Sequence, residues 1–142
     1  TIINDKKVVV GTIFSKDTYD DFIVISEPSY RIERLRLAGQ EPLSLEITYI
    51  TEQSAPGLLK EDLTKSLYKI LAFKYGQEIT SADEHLTPIV LGAEESQLLK
   101  VPAGTAALRI QRTGYNVRGE EVERSLAVRQ GSRWDFKYSI RN

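Results

Sequence analysis

Apolar and polar residues alternate through Tyr30 to Leu37 (YRIERLRL) and again through Leu43 to Ile50 (LSLEITYI), while Lys7 to Phe14 (KVVVGTIF) is a near-continuous β-branched and aromatic run. A period of two marks strands with one apolar face. These three stretches are therefore expected as strands, with one helical turn at Asp17 to Phe22 between the first two. The period then changes. After the turn signal Pro56-Gly57, the run Asp62 to Tyr75 (DLTKSLYKILAFKY) places Leu63, Leu67, Ile70 and Leu71 on one helical stripe that stops at Gly76. Glu78 to Leu91 reads as a strand, Ala93 to Lys100 as a short helix, and Pro102-Ala103-Gly104 as a turn. Two more strands, Thr105 to Val117 and Glu121 to Arg129, join at Arg118-Gly119, and a last short one is expected at Asp135 to Ile140. The sum is an α+β domain, a mostly antiparallel sheet with helices packed on it.

The polar positions of the first hairpin carry more information than its apolar ones. Arg34 and Arg36 share one strand face and Leu35 and Leu37 the other; in the returning strand Ser44, Glu46 and Thr48 oppose Leu43, Leu45, Ile47 and Tyr49. A two-residue loop at Gly39-Gln40 would pair Arg36 with Leu43 and mix the faces. A three-residue loop, Gly39 to Glu41, pairs Arg34 with Glu46 and Arg36 with Ser44, and is the expected solution. The helices then take the apolar face and the guanidinium groups the other. Glu121 to Arg129 repeats the division, with Val122, Leu126 and Val128 on one side and Glu123, Ser125 and Arg129 on the other. Two readings stay open: a solvated face with a cross-strand Arg34–Glu46 pair, or a polar cleft in which arginine forks clamp a phosphate or carboxylate.

Lys65-Ser66-Leu67-Tyr68 offers a second anion-binding element. If the helix proper starts at Ser66, its free amides and hydroxyl face an incoming anion; the alternative is a plain serine N-cap with Tyr68 as an amphipathic surface ring.

Composition narrows the functional classes. The 142 residues, 41% hydrophobic, suit one domain with a real core. Nineteen basic against 20 acidic residues give a net charge of −1, so there is no broad field for nucleic acid or anionic lipid, and any basic site must be local. Cysteine is absent, which removes disulfides, thiol nucleophiles and thiolate metal sites and suits a reducing cytosol. No apolar run is long enough for a membrane span, and TIINDKK is no signal peptide. The lack of any methionine suggests a piece of a longer protein. His85 is the sole histidine, read as a surface or satisfied side chain, and Trp134 is read as packing. No catalytic set, metal cluster or cofactor motif is found.

Several separated blocks share a further likeness: RIERLRLAGQEPLSLEITYI, PGLLKEDLTKSLYKILAFKYG, and LLKVPAGTAALRIQRTGYNVRGEEVERSLAVRQGSRWDF. In this order they resemble the UTRA domain, the ligand-sensing half of HutC-type regulators within the GntR family, from about Asp17 onward. The resemblance implies a chorismate-lyase-like fold that binds a small effector, often a phosphorylated sugar or an amino-acid-derived acid. It implies a homodimer that reaches operator DNA only through a winged helix-turn-helix domain preceding this one, in the cytoplasm. It places phosphate contacts on Arg34, Arg36, Ser66 and Tyr68, and contacts to sugar hydroxyls or amide on Glu46 and Glu123. Where many members carry serine and then tyrosine, this chain has Ala127 and Arg129, and the usual aspartate before the final arginine is Ser132. No part of TIINDKK matches the family's N-terminal ligand loop. The departures bear on the sugar end of the pocket more than the phosphate end; Arg129 either adds an anion contact or pairs with Glu123. The same fold admits an enzymatic alternative, a lyase acting on an aromatic diacid such as chorismate.

Overall fold

The computed structural model describes residues 1–14, 22–131, 135 and 137–141. Six strands form one sheet: β1 (Ile2–Phe14), β2 (Phe22–Ala38), β3 (Glu41–Thr51), β4 (Ser81–Val90), β5 (Ala106–Tyr115) and β6 (Glu121–Gln130). Their spatial order is β1-β2-β3-β6-β5-β4, and every neighbouring pair is antiparallel. Among the described residues the helices are α1 (Leu67–Tyr75) and α2 (Ala93–Leu99), with a 3-10 turn at Leu58–Lys60. The expected α+β architecture is present.

The two helices lie on opposite faces of the sheet, which corrects the expectation that both take the apolar side. Leu67 and Leu71 of α1 and the preceding Leu63 bury against Tyr30, Ile32, Ile50 and Val122. Tyr30 and Ile32 alternate in phase with Arg34 and Arg36, so α1 covers the near half of the arginine-bearing face. Leu99 of α2 instead packs with Leu35, Leu45, Ala107 and Val128 on the reverse face. Val122 joins the α1 side rather than that of Leu126 and Val128, because the β5–β6 register slips between Gly114 and Tyr115 and leaves Val122 as the extra residue. The Tyr30 hydroxyl anchors the approach to α1: it donates to the Ala55 carbonyl at 2.9 Å and accepts from the Gly57 amide at 3.1 Å.

The β2–β3 hairpin reaches its expected pairing by a different route. Arg34 opposes Glu46 and Arg36 opposes Ser44, but the turn is the two-residue Gly39-Gln40, flanked by the pair Ala38–Glu41. A bulge between Arg36 and Leu37 absorbs Leu43 and restores the phase. Gly39 takes the left-handed conformation, φ 61°, that this tight turn requires.

Other boundaries move inward or outward. Asp62 does not start the helix; its carboxylate accepts from the Thr64 amide and hydroxyl, and Ser66 is the N-cap. β1 begins at Ile2, and β4 starts at Ser81 rather than Glu78. Asp135 and residues 137–141 form no strand, so the last expected strand is not found. Residues 17–21 of the expected helical turn, together with Ser132, Trp134 and Phe136, lie outside the described residues, and Phe22 belongs to β2.

Candidate functional site

Register places the polar side chains in rows across four strands. One row runs Arg36, Ser44, Arg129, Leu108; the next runs Arg34, Glu46, Ala127, Ile110; then Ile32, Thr48, Ser125, Arg112; then Tyr30, Ile50, Glu123, Gly114. Neighbours within a row stand about 4.8 Å apart and successive rows about 6.8 Å apart. Ala127 therefore sits at the centre, with no side chain beyond its methyl, and guanidinium-bearing residues surround it.

A cavity of about 320 Å³ lies over this surface, closed on one side by the start of α1. All seven sequence-predicted residues line it: Arg34, Arg36, Glu46, Ser66, Tyr68, Glu123 and Arg129. Thr1, Thr48, Lys65, Arg112, Ser125 and Ala127 complete most of the wall. Arg34 is only 8% exposed and donates from Nη2 to Glu46 Oε2 at 3.5 Å. Arg36 reaches the same carboxylate, 3.7 Å to Oε1, from a side chain that is 56% exposed. The Ser44 hydroxyl donates to Oε1 at 3.4 Å. One carboxylate thus serves two guanidiniums, and Arg34 Nε is buried without a hydrogen-bond partner. Burial lowers the pKa of Arg34, with Arg36 adding to the effect and Glu46 opposing it. Arg129 is lowered in the same way, by burial first and by the charges of Arg112 and Arg36, against Glu46. Guanidiniums that are desolvated and repel one another form a site that an anion would relieve.

Ser66 caps α1, its Oγ accepting from the Lys69 amide at 3.4 Å. Both readings of this serine meet here, because the capped helix end opens into the cavity.

The far wall is a relay that the sequence reading missed. The Tyr68 hydroxyl donates to Glu123 Oε1 and accepts from Arg112 Nη1 at 2.7 Å. Arg112 Nη2 donates to Glu84 Oε1 at 3.1 Å, and its guanidinium lies 5.9 Å from the Tyr68 ring centroid. Tyr68 is accordingly turned toward Glu123. Burial and then the Glu123 charge push its pKa well up. Burial also raises the Glu123 carboxyl, with Glu46 adding to it, although Tyr68 and Arg112 oppose the shift. For Arg112, burial works against the charge but Tyr68 and Glu84 more than offset it, and its pKa rises. Arg112 gave no signal in the linear pattern; only pairing of β5 with β6 sets it opposite Ser125, on the face of Glu123.

A larger hollow, about 490 Å³, surrounds Gln77, Asn116 and Arg124 and shares only Glu123 with the predicted set. Its arginines hold neighbouring acids, Arg118 to Glu120 at 2.5 Å and Arg124 to Glu121 at 2.9 Å, so it lacks the surplus of cations found in the smaller cavity. His85 is exposed on β4, as a surface side chain.

Comparison with known proteins gives the family and the fold. HTH-type transcriptional repressor NagR of Bacillus subtilis (strain 168) is 29% identical over 107 residues, which cover 75% of this chain and 44% of that protein. The chain thus spans less than half the length of that relative. The C-terminal domain of Yurk from Bacillus subtilis subsp. subtilis str. 168 superposes with a TM-score of 0.76 at 21% identity, covering 97% of this chain and 94% of that one. A GntR-family transcriptional regulator from Enterococcus faecalis V583 superposes with a TM-score of 0.71 at 25% identity, covering 80% and 82%. The UTRA domain profile matches residues 23–135. The family is one of regulators' effector domains, not of enzymes, which sets aside the lyase alternative. With a chorismate-lyase-like sheet, a cation-lined cavity and the family profile over most of its length, this chain belongs to the UTRA domain family, the ligand-binding effector domain of GntR-family regulators of the HutC type.

Proposed function

We propose that this domain binds a phosphorylated sugar or a similar anionic metabolite in the cavity between the arginine rows and the start of α1, and that binding controls DNA recognition. Arg34, Arg36, Ser66 and Tyr68 receive the phosphoryl group, Glu46 and Glu123 accept from hydroxyl or amide donors, and Arg129 adds a third guanidinium beside the first two. The observation that carries this reading is Arg34: nearly buried, sharing Glu46 with Arg36, and left with an unpartnered Nε in a cavity lined by further cations. A phosphate monoester carries about −1.5 to −2 charges at neutral pH and several acceptor oxygens, which suits such donors.

In the cytoplasmic full-length regulator the domain, spanning residues 1–142, serves as the effector-binding and dimerisation unit, and an N-terminal winged helix-turn-helix domain contacts operator DNA. The effector acts through different affinities for two arrangements of the dimer. Closure of α1 toward the sheet around the phosphate is the movement that links Ser66 to the strand residues.

The test is thermal melting with a panel of hexose 6-phosphates and inorganic phosphate. A bound effector raises Tm by mass action, and Arg36→Ala should abolish that rise. Absence of any shift across the panel at millimolar concentration would overturn the phosphosugar reading.

A further inference from the structure

Glycines 39, 57, 76, 104 and 119 adopt positive φ. Gly114 does not, and it lies within β5, where glycine weakens a strand. What Gly114 supplies is room. A Cβ at this position would lie 2.9 Å from Glu123 Cγ, 3.0 Å from Glu123 Oε1 and 3.1 Å from Ile79 Cγ2. Gly114 is the register partner of Glu123, and the ladder slips immediately beyond it. The Glu123 side chain, in a residue only 3% exposed, therefore folds over bare backbone. The oxygen that occupies this space is the one that accepts from Tyr68, whose hydroxyl in turn holds Arg112.

We propose that Gly114 is a specificity-determining residue: the space left by its missing side chain lets Glu123 fold back to Tyr68, which fixes where the carboxylate stands for an effector's hydroxyl or amide donors. This rests on the effector-site reading given above. Any side chain at 114 drives Cγ and Oε1 of Glu123 out of the space, detaches the carboxylate from Tyr68 and moves it into the part of the cavity meant for the ligand. Arg34 and Arg36 of β2, two strands beyond β6, and Ser66 are untouched, so the phosphate keeps those three contacts and the larger effect falls on the part of the ligand away from it.

The experiment compares wild type, Gly114→Ala, Glu123→Ala and Gly114→Ala/Glu123→Ala, the last two removing the colliding Cγ and Oε1. Calorimetry measures affinity for inorganic phosphate and for neutral, amino and N-acetylamino hexose 6-phosphates. Ultraviolet titration, with Tyr68→Phe as the reference, follows ionisation of Tyr68. In Gly114→Ala the best hexose 6-phosphate should lose about fivefold relative to inorganic phosphate, as for one lost hydrogen bond, while phosphate affinity holds within about twofold. Tyr68 should ionise at lower pH once Glu123 is displaced, and in the Glu123→Ala background Gly114→Ala should change neither readout further. Should Gly114→Ala not fold, the double variant carries the test, since removal of the Glu123 side chain must return folding with the ligand ratio and Tyr68 titration of Glu123→Ala. An unchanged ratio and Tyr68 titration in Gly114→Ala, or an equal loss for phosphate and sugar phosphates, overturns the role of Gly114. Wild-type protein that binds neither probe overturns the effector reading, and the specificity role with it, whereas the Tyr68 titration still reports whether Gly114 positions Glu123.

Discussion

Arg34 and Glu46 face each other across β2 and β3 as register partners, with 3.5 Å between Nη2 and Oε2 and side chains only 10% and 11% exposed. Arg36 approaches the same carboxylate from the open side of the cavity. The two arginines therefore differ in what they stabilise. Replacing Arg34 by alanine leaves a buried carboxylate with one partner fewer and should cost about 1–3 kcal/mol. Arg36→Ala removes a largely exposed group and should stay within about 0.5 kcal/mol, yet eliminate the ligand-induced Tm rise. Urea denaturation of both variants, beside melts with phosphate ligands, checks the separation. Equal stability losses would contradict it.

Ser66 has a structural and a ligand role that substitution can separate. Loss of the cap in Ser66→Ala should cost about 0.5–1 kcal/mol, at the lower end because the capping bond is 3.4 Å long, and Ser66→Gly only a few tenths. If the hydroxyl also holds phosphate, both variants weaken ligand binding alike despite their different stabilities. Titration calorimetry on the pair reads this directly; affinity that tracks stability instead would leave Ser66 as a cap alone.

Glu123 makes stability depend on pH in a defined direction. Its carboxyl is raised above the ordinary 4.5, chiefly by burial. A pKa raised on folding means that the stabilisation linked to this group is complete below the unfolded value and is lost as pH rises through the folded one. Glu123→Gln keeps an acceptor for Tyr68 but carries no charge. Its Tm relative to wild type should climb as pH rises above about 4.5. Differential scanning at several pH values tests the sign, and a difference that falls or stays flat is the contrary result.

Ala127 occupies the middle of the arginine rows and lines the cavity floor. Ala127→Leu should fill space meant for ligand and weaken hexose 6-phosphate binding at least tenfold, or about 1.4 kcal/mol. Binding retained at wild-type strength would place the ligand elsewhere.

Much of this site was legible in the sequence, for a physical reason. Side-chain alternation along a strand is a local property of an extended backbone, so RIERLRL put Arg34 and Arg36 on one face and LSLE put Ser44 and Glu46 on another before any pairing was known. The stripe of Leu63, Leu67 and Leu71, the cap at Ser66 and the stop at Gly76 were equally local and recur in the fold. Pairing of Arg34 with Glu46 followed from keeping the two faces unmixed, though a bulge at Leu43 rather than a longer loop achieves it.

Tertiary structure alone decided which face each helix covers. Tyr30 and Ile32 share a strand phase with the arginines, and nothing in their spacing told that α1 would bury the apolar end of a face whose other end is charged. Arg112, Glu84 and Gly114 were invisible for the same reason: their part depends on which residues of β6 and β4 stand beside them, and strand register between distant segments is set by packing of the whole sheet. Local chemistry named the charges, whereas the fold determined how they were assembled around one cavity.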